Sequence, residues 1–393
     1  MSHVIVVGAG IVGLATGHEL TARGHRVTVV DKEPEVAAHQ TGHNSGVIHS
    51  GLYYAPGSLK ARLCTAGAAS MLAFARAHGV TTEATGKLVV ATADRQLPAL
   101  QELLRRGEAN GVPCRLLDPA QAREYEPHVA SVAALRVEST ATVDYPAVCR
   151  VIAEKIARSG GEVLLGAEVT AIRAGADGVV VTTDAGALPA DVFVNCAGLH
   201  SDRIARLAGI DLDVRILPFR GEYYELTPQA APLVNGLVYP VPDPDIPFLG
   251  VHLTRMLDGT VHAGPNAVLA LAKEGYTWDV VRLRELAEVA GWPGSWRLAR
   301  RWWRTGIDEV RRSLSRARFV ASLQELVPEL TSADVVPTHA GVRAQAVGRD
   351  GALLDDFLFR RGDHQLHVLN APSPAATAAL EIARHIADEL VGQ

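Results

Sequence analysis

Between His39 and Ser58 the chain holds more chemistry than a connecting loop needs: His39, His43 and His49, glycines at 42, 46 and 51, and the pair Tyr53-Tyr54. An imidazole with its ordinary pKa near ~6.5 takes a proton at neutral pH, so such a segment can supply a general base. Far downstream, Gly341-Val-Arg343-Ala-Gln345 offers a guanidinium with small neighbours, Gly341 and Ala344, that leave room beside it. Its fork of donors matches a carboxylate. His252, in Leu249-Gly-Val-His252-Leu-Thr-Arg255, is a further imidazole. The chemistry these types permit is proton removal beside a bound carboxylate, and the glycine-dense backbone reads as chain pressed against a flat ligand.

Those residues need a frame, and the N-terminus supplies one. Val4 to Val7 is the continuous β-branched run of a buried parallel strand, followed by Gly8-Ala-Gly10-Ile-Val-Gly13, a helical run to Gly24, and a second apolar run ending in Asp31. Gly8 permits the tight turn, Gly10 the close approach of a pyrophosphate, and Gly13 the packing of helix on sheet. Phosphate sits at the helix N-terminus, and Asp31 accepts hydrogen bonds from ribose hydroxyls. The pattern extends to Gly17, a spacing that resembles FAD-binding more than NAD-binding chains.

Composition narrows the classes. With 393 residues, two domains are expected; hydrophobic residues at 48% and charged residues at 21% read as an ordinary soluble protein. A net charge of -5 argues against a nucleic-acid partner. Cys64, Cys114, Cys149 and Cys196 lie far apart without a C-x-x-C, so no metal site or disulfide framework is expected. The chain runs from Met1 straight into a strand without a signal peptide or a spanning stretch, which reads as cytoplasmic.

Helices are expected over Lys60 to Gly79, Arg95 to Asn110, from Asp118-Pro119, from the opening Thr142-Val-Asp-Tyr-Pro146 to Arg158, and from Ser373-Pro374 to the C-terminus. Strands are expected over residues 85–92, 162–165, 168–172, 179–183, 190–194, 214–226, 340–345 and 367–369. Leu249 to Arg255 and Thr260 to Asn266 read as a hairpin turned at Asp258-Gly259, with a proline-rich loop from Tyr239 to Pro247 before it. After the strand ending Val194-Asn195-Cys-Ala197-Gly198, a helix is expected to begin at a Ser or Asp cap.

The glycine motif, Asn195-Cys-Ala-Gly198, Gly341-Val-Arg343 and Ala371-Pro-Ser373-Pro374-Ala375-Ala376-Thr377 together resemble the D-amino-acid oxidase type of FAD-dependent oxidoreductase across almost the whole chain. Residues 39–58, 218–224, 248–255, 264–266 and 341–346 resemble, more narrowly, L-2-hydroxyglutarate oxidases and dehydrogenases. The resemblance implies an α/β Rossmann-like FAD domain (1–80, 143–215, 336–393) and a mostly antiparallel substrate domain (81–142, 216–335). It also implies oxidation of a 2-hydroxy acid to a 2-keto acid, with O2 or a quinone as final acceptor.

On that reading Arg343 holds the substrate carboxylate. His49 is the preferred base, from its likeness to the histidine of the Gly-Val-Ile-His stretch, with His43 and His252 as rivals. The far end of a dicarboxylate would meet Arg255, Tyr54, Lys60 or Arg62, with His252 also at the substrate. Gly8, Gly10, Gly13, Asp31, Lys32, Asn44, Ser45, Gly46, Val169, Ala197, Gly198 and Ser373 to Thr377 form the expected FAD set. Amino-acid oxidation and flavin binding without turnover are the alternatives on the same scaffold. Residues 292–304, with four of the five tryptophans among arginines, read either as a helix packing on the substrate domain or as peripheral contact with the inner face of a membrane.

Overall fold

The structure, a computed structural model, describes residues 1–243 and 249–391. His3–Val7 forms the centre of a six-stranded sheet in the order Leu358–Gly362, Gln365–Asn370, Val192–Asn195, His3–Val7, Arg26–Val30, Glu162–Leu164. All pairings are parallel except the outer hairpin of the first two. Val4 to Val7 are buried because both faces are covered. On one side the helices Ile11–Ala22, Tyr145–Arg158 and Ala375–Val391 pack into a core with Leu14, Leu20, Val27, Ile152 and Ile386. On the other, an antiparallel sheet (Val169–Gly175, Gly178–Thr183, Gly186–Ala190) lays Ile172 and Val181 against Ile5 and Phe193. Each such aliphatic side chain contributes about 1.5–3 kcal/mol on burial.

The glycines set how closely these layers meet. A Cβ on Gly13 would lie 1.9 Å from the Gly8 carbonyl oxygen, and one on Gly17 would lie 2.9 Å from Val29. The first helix therefore rests directly on the turn and the sheet.

A nine-stranded, mostly antiparallel sheet forms the second layer. Its spine is Val335–Gly348 paired along Val214–Leu226, which sets Arg343 opposite Phe219 and Gly341 opposite Gly221. The stretch from 336, expected with the parallel sheet, thus begins as part of this wall. The hairpin at Asp258-Gly259 forms as expected, His252–Arg255 pairing with Val261–Gly264. Lys87–Ala91, buried at all five positions, lies between Leu237–Pro240 and Ala133–Val137.

Some elements were not legible. Gly186–Ala190 is largely exposed and carries no apolar alternation, and Leu283–Ala290 buries no residue. Leu358–Gly362 and Arg316–Gln324 were also missed. The helix after Gly198 starts at Ser201 behind His200, which makes no side-chain cap, so the expected Ser or Asp cap is corrected. Residues 244–247 of the proline-rich loop and Phe248 lie outside the described residues.

Residues 292–304 enter a helix, Pro293–Leu314, with a break at Trp302. Trp292 is 4% exposed and donates its indole N–H to the Val347 carbonyl at 3.1 Å, and Trp302 packs on the same cluster. Trp296 and Trp303 face outward, 66% and 54% exposed. Among the described residues no helix is long and apolar enough to cross a membrane.

Candidate active site

A cavity of about 1070 Å³ opens at the C-terminal ends of the parallel strands and reaches the mixed sheet. That is where open α/β sheets bind ligands, and the volume exceeds what a drug-sized molecule occupies. Gly8 and Gly10 line its mouth. A Cβ on Gly8 would strike the Cys196 carbonyl at 2.4 Å; one on Gly10 would meet only the Thr41 hydroxyl at 3.4 Å, so Gly10 keeps its face bare toward the cavity. Gly10, at the N-cap of the Ile11–Ala22 helix, brings no side-chain cap, and of the first-turn N–H groups the Ile11 one goes to the Thr41 hydroxyl at 3.1 Å. Free N–H groups at an uncapped helix start suit a phosphate.

Asp31 lines the same mouth, and its carboxylate accepts the N–H of Ala9 at 2.6 Å and of Glu33 at 2.9 Å. It holds the glycine turn, and a carboxylate with about four acceptor sites keeps capacity for ribose hydroxyls. Lys32, Asn44, Ser45, Val169, Ala197, Gly198 and Ser373 to Thr377 also line the cavity. The Asn44 side chain is spent locally, donating to the Thr41 carbonyl and accepting from the Gly46 N–H, each at 2.8 Å. Two expected cofactor residues are corrected, since neither Gly46 nor Gly13 is among the lining. Gly46 sits at φ +64 to turn the chain, and Gly13 faces the Gly8 carbonyl. Thr377 is also reassigned in part: its hydroxyl accepts the His49 N–H at 3.0 Å and meets the Tyr145 hydroxyl at 3.2 Å, anchoring the histidine segment.

His49, His252, His43, Arg343, Tyr53, Tyr54, Lys60 and Tyr239 also line the cavity. A Cβ on Gly341 would lie 2.3 Å from the His43 carbonyl oxygen, so the glycine admits the histidine segment itself rather than making space for Arg343. His43 Nδ1 lies 3.1 Å from the Ala340 carbonyl, and its ring stacks on Tyr276 at 4.4 Å. His252 Nδ1 lies 3.0 Å from the Gly250 carbonyl, which can only accept; the proton is therefore on Nδ1 and Nε2 carries the lone pair. Its ring stacks on Tyr239 at 3.9 Å. His49 Nδ1 is buried with no hydrogen-bond partner among the described residues.

Burial pushes His49 down to about 3, reinforced by Lys87, His252, Arg343 and Lys60, and His252 likewise falls to about 3. Both imidazoles are neutral at physiological pH. Lys87, unremarked in its apolar strand, is 1% exposed, and burial pushes it down to about 7. Its signal in the sequence was only a lysine opening the apolar run Leu88 to Ala91.

Two expected substrate contacts are corrected. Arg255 is not in the lining: three residues beyond His252 on the same strand, it points to the opposite face and donates to the Val234 carbonyl at 3.2 Å. Arg62 is exposed on its helix and also outside the lining. Lys60 is in place but engaged, its ammonium 2.9 Å from the Asp355 carboxylate.

At the mouth, Glu274 from the mixed-sheet layer reaches Lys32 at 2.7 Å and His200 at 2.8 Å, and these bonds, the His200 one first, hold its carboxyl low. Tyr276 adds a hydroxyl 2.9 Å from His39 Nδ1. Glu33, His39 and Glu274 place ligand atoms within 4.8 Å of one another, and the Lys32 ammonium sits among them as the cation.

Residues 3–389 match the family model described as DAO, FAD dependent oxidoreductase. An L-2-hydroxyglutarate dehydrogenase of Indibacter alkaliphilus is 48% identical, covering 96% of each chain. That of Escherichia coli K12 is 41% identical over 99% of this chain and 93% of the relative, and the human mitochondrial one 40% over 98% and 88%. Among solved structures, the FAD-bound L-alpha-glycerophosphate oxidase of Mycoplasma pneumoniae superposes with a TM-score of 0.81 at 25% identity, covering 99% of this chain and 94% of that one. Glycine oxidase from Geobacillus kaustophilus, at 19% identity and TM-score 0.75 over 100% and 96% of the two chains, shares the fold.

Proposed function

The chain belongs to the DAO family of FAD-dependent oxidoreductases, and from that premise we propose that it oxidises L-2-hydroxyglutarate to 2-oxoglutarate, with dioxygen or a membrane quinone as final electron acceptor. The observation that carries the substrate is the sign of the charge around His49. Among the described residues the leading charges acting on it, apart from the neutral His252, are Lys87, Arg343 and Lys60, the last of them paired with Asp355. Such a chamber favours a dianion. It disfavours the amino-acid alternative, which would set an ammonium among like charges. Relatives at 40–48% identity that carry the dehydrogenase name support the same choice.

FAD, when bound, supplies the acceptor for the hydride that leaves C2 of the substrate. The bare Gly10, the uncapped helix and Asp31 would hold its phosphates and ribose, with Lys32, Val169, Ala197, Gly198 and the 373–377 segment along its length. Arg343 grips the C1 carboxylate and fixes C2 in the chamber. His49 takes the hydroxyl proton; His252, with Nε2 free to accept, is the rival base. His43 positions the segment through Ala340 and Tyr276. The division proposed is 1–80, 143–215 and 336–393 for the FAD domain against 81–142 and 216–335 for the substrate domain; Val335–Gly348, paired along Val214–Leu226, crosses it.

The outward Trp296 and Trp303, among Arg300, Arg301 and Arg304, support peripheral contact of a cytoplasmic protein with an anionic membrane face, which favours the quinone. The deciding experiment is anaerobic mixing of the yellow protein with a panel of hydroxy and amino acids. L-2-hydroxyglutarate bleaches the flavin fastest. Bleaching by an amino acid but not by hydroxyglutarate would overturn the substrate, and no bleaching at all would leave a flavin-binding protein without turnover.

A further inference from the structure

Lys60 and Asp355 form an ion pair of unequal halves. Both residues line the cavity, yet the lysine side chain is 9% exposed and the aspartate side chain 94%. A carboxylate that exposed reaches the ammonium at 2.9 Å only from open space, so this side of Lys60 is accessible to an anion. Lys273 and Asp202 differ, being 6% and 0% exposed, a pair closed on both sides. The rest of Lys60 is fixed. Its backbone N–H donates to the Asp356 carboxylate at 2.9 Å, its ammonium also donates to the Asp355 carbonyl at 3.0 Å, and the ring of Tyr54, another lining residue, lies 4.9 Å from that ammonium. The neighbouring aspartates thus have different tasks. Asp356 takes the N–H groups of Leu59 and Lys60 at the start of the helix Leu59–Ala77, whereas the Asp355 carboxylate has Lys60 as its one bonded partner among the described residues.

We propose that Lys60 binds the second carboxylate of a dicarboxylate substrate, and that Asp355 holds the ammonium in place until the substrate's carboxylate displaces it. This rests on the hydroxy-acid reading above and names the residue that selects two carboxylates over one. Of the cations expected at the far end, Arg255 and Arg62 lie outside the lining and Lys60 lies within it. Lys60 and Arg343 both act on His49, so the two anchored ends of the substrate border the proposed base. The two carboxylates that compete for Lys60 differ in what they lose. Asp355 is already in water, and an exposed ion pair is weak. A substrate carboxylate inside the cavity has left water, and a charge-assisted bond in those surroundings is stronger. Exchange therefore runs toward the substrate.

The test uses the FAD-loaded enzyme and two unreactive ligands, glutarate and pentanoate, titrated against the flavin spectrum. Wild type binds glutarate more tightly. In Lys60→Met that preference falls by about 10–100-fold, the loss expected for one charged hydrogen bond, while pentanoate still binds and shows the chamber intact. Asp355→Asn moves the other way: glutarate binds about 5-fold more tightly, the worth of one exposed ion pair, and pentanoate is unchanged. The double variant binds glutarate as Lys60→Met does, because Asp355 acts only through the lysine.

A purely structural pair predicts weaker or unchanged glutarate binding in Asp355→Asn, and either result overturns the exchange. If Lys60→Met cannot hold FAD, the sign of the Asp355→Asn change decides, since that substitution alters a side chain standing in water. An unchanged preference in Lys60→Met overturns the subsite and leaves the hydroxy-acid reading standing. No preference for glutarate in wild type, with no bleaching by hydroxyglutarate, overturns the reading itself.

Discussion

His252 makes the protein's acid stability calculable. Its ring is 6% exposed, fixed by Gly250 and stacked on Tyr239, and burial holds its pKa at about 3 against 6.5 in the unfolded chain. Because the folded value lies below the unfolded one, the unfolded chain takes up the proton first. The stabilisation is fully present above about pH 6.5 and is lost as pH falls toward 3. Between pH 7 and 5 the linkage amounts to about 2 kcal/mol for this one residue, and His49 adds a similar amount. Against a typical total of about 5–15 kcal/mol, the pair removes a large share. The assay is urea unfolding of the FAD-loaded protein at pH 7, 6 and 5, by circular dichroism and flavin fluorescence together. Stability falls with acid, and His252→Gln, although less stable at pH 7, has a slope shallower by about 1 kcal/mol per pH unit. Equal slopes in wild type and variant would refute the buried neutral imidazole.

Two further outcomes follow from the site and the surface. His49→Ala keeps FAD but slows anaerobic flavin reduction by roughly 10²-fold, whereas Arg343→Met weakens every 2-hydroxy acid, with one carboxylate or two, by roughly 10–100-fold in kcat/KM; unaltered reduction in the first would remove His49 from the chemistry. At the surface, the protein sediments with vesicles containing anionic lipid and not with purely zwitterionic ones, and replacing Trp296 and Trp303 by Glu abolishes this while turnover with a soluble dye acceptor persists. Equal sedimentation of variant and wild type would sink the membrane contact.

The frame was legible because its signals are local. A β-branched run, three glycines and an acidic residue at the next strand end dictate strand, turn and helix within thirty-one residues. The walls of the chamber were legible one strand at a time, since His252 and Arg343 each sit in a recognisable strand. What could not be read was which face of a strand turns inward and what crosses it. Arg255 lies three positions from His252, and period two sends it away. Lys87 carries no mark in the expected strand 85–92 of the neighbours that bury it, which are strands on both sides. Asn44, Gly46 and Thr377 looked like cofactor contacts, but two of their side chains and one φ angle are spent in shaping the histidine segment.

The same burial that weakens the base also explains why it needs its substrate. In a chamber of cations an imidazole near 3 is a poor proton acceptor, several units below working pH. A carboxylate arriving about 6 Å away changes the field by about 2–3 kcal/mol at an effective dielectric of about 20, close to two pKa units. A second carboxylate in the cavity acts in the same direction and brings the His49 pKa toward neutrality. A monocarboxylate supplies only half of that shift. Discrimination between the two substrate classes therefore enters the proton-transfer step as well as binding, and base strength is supplied by the molecule on which the base acts.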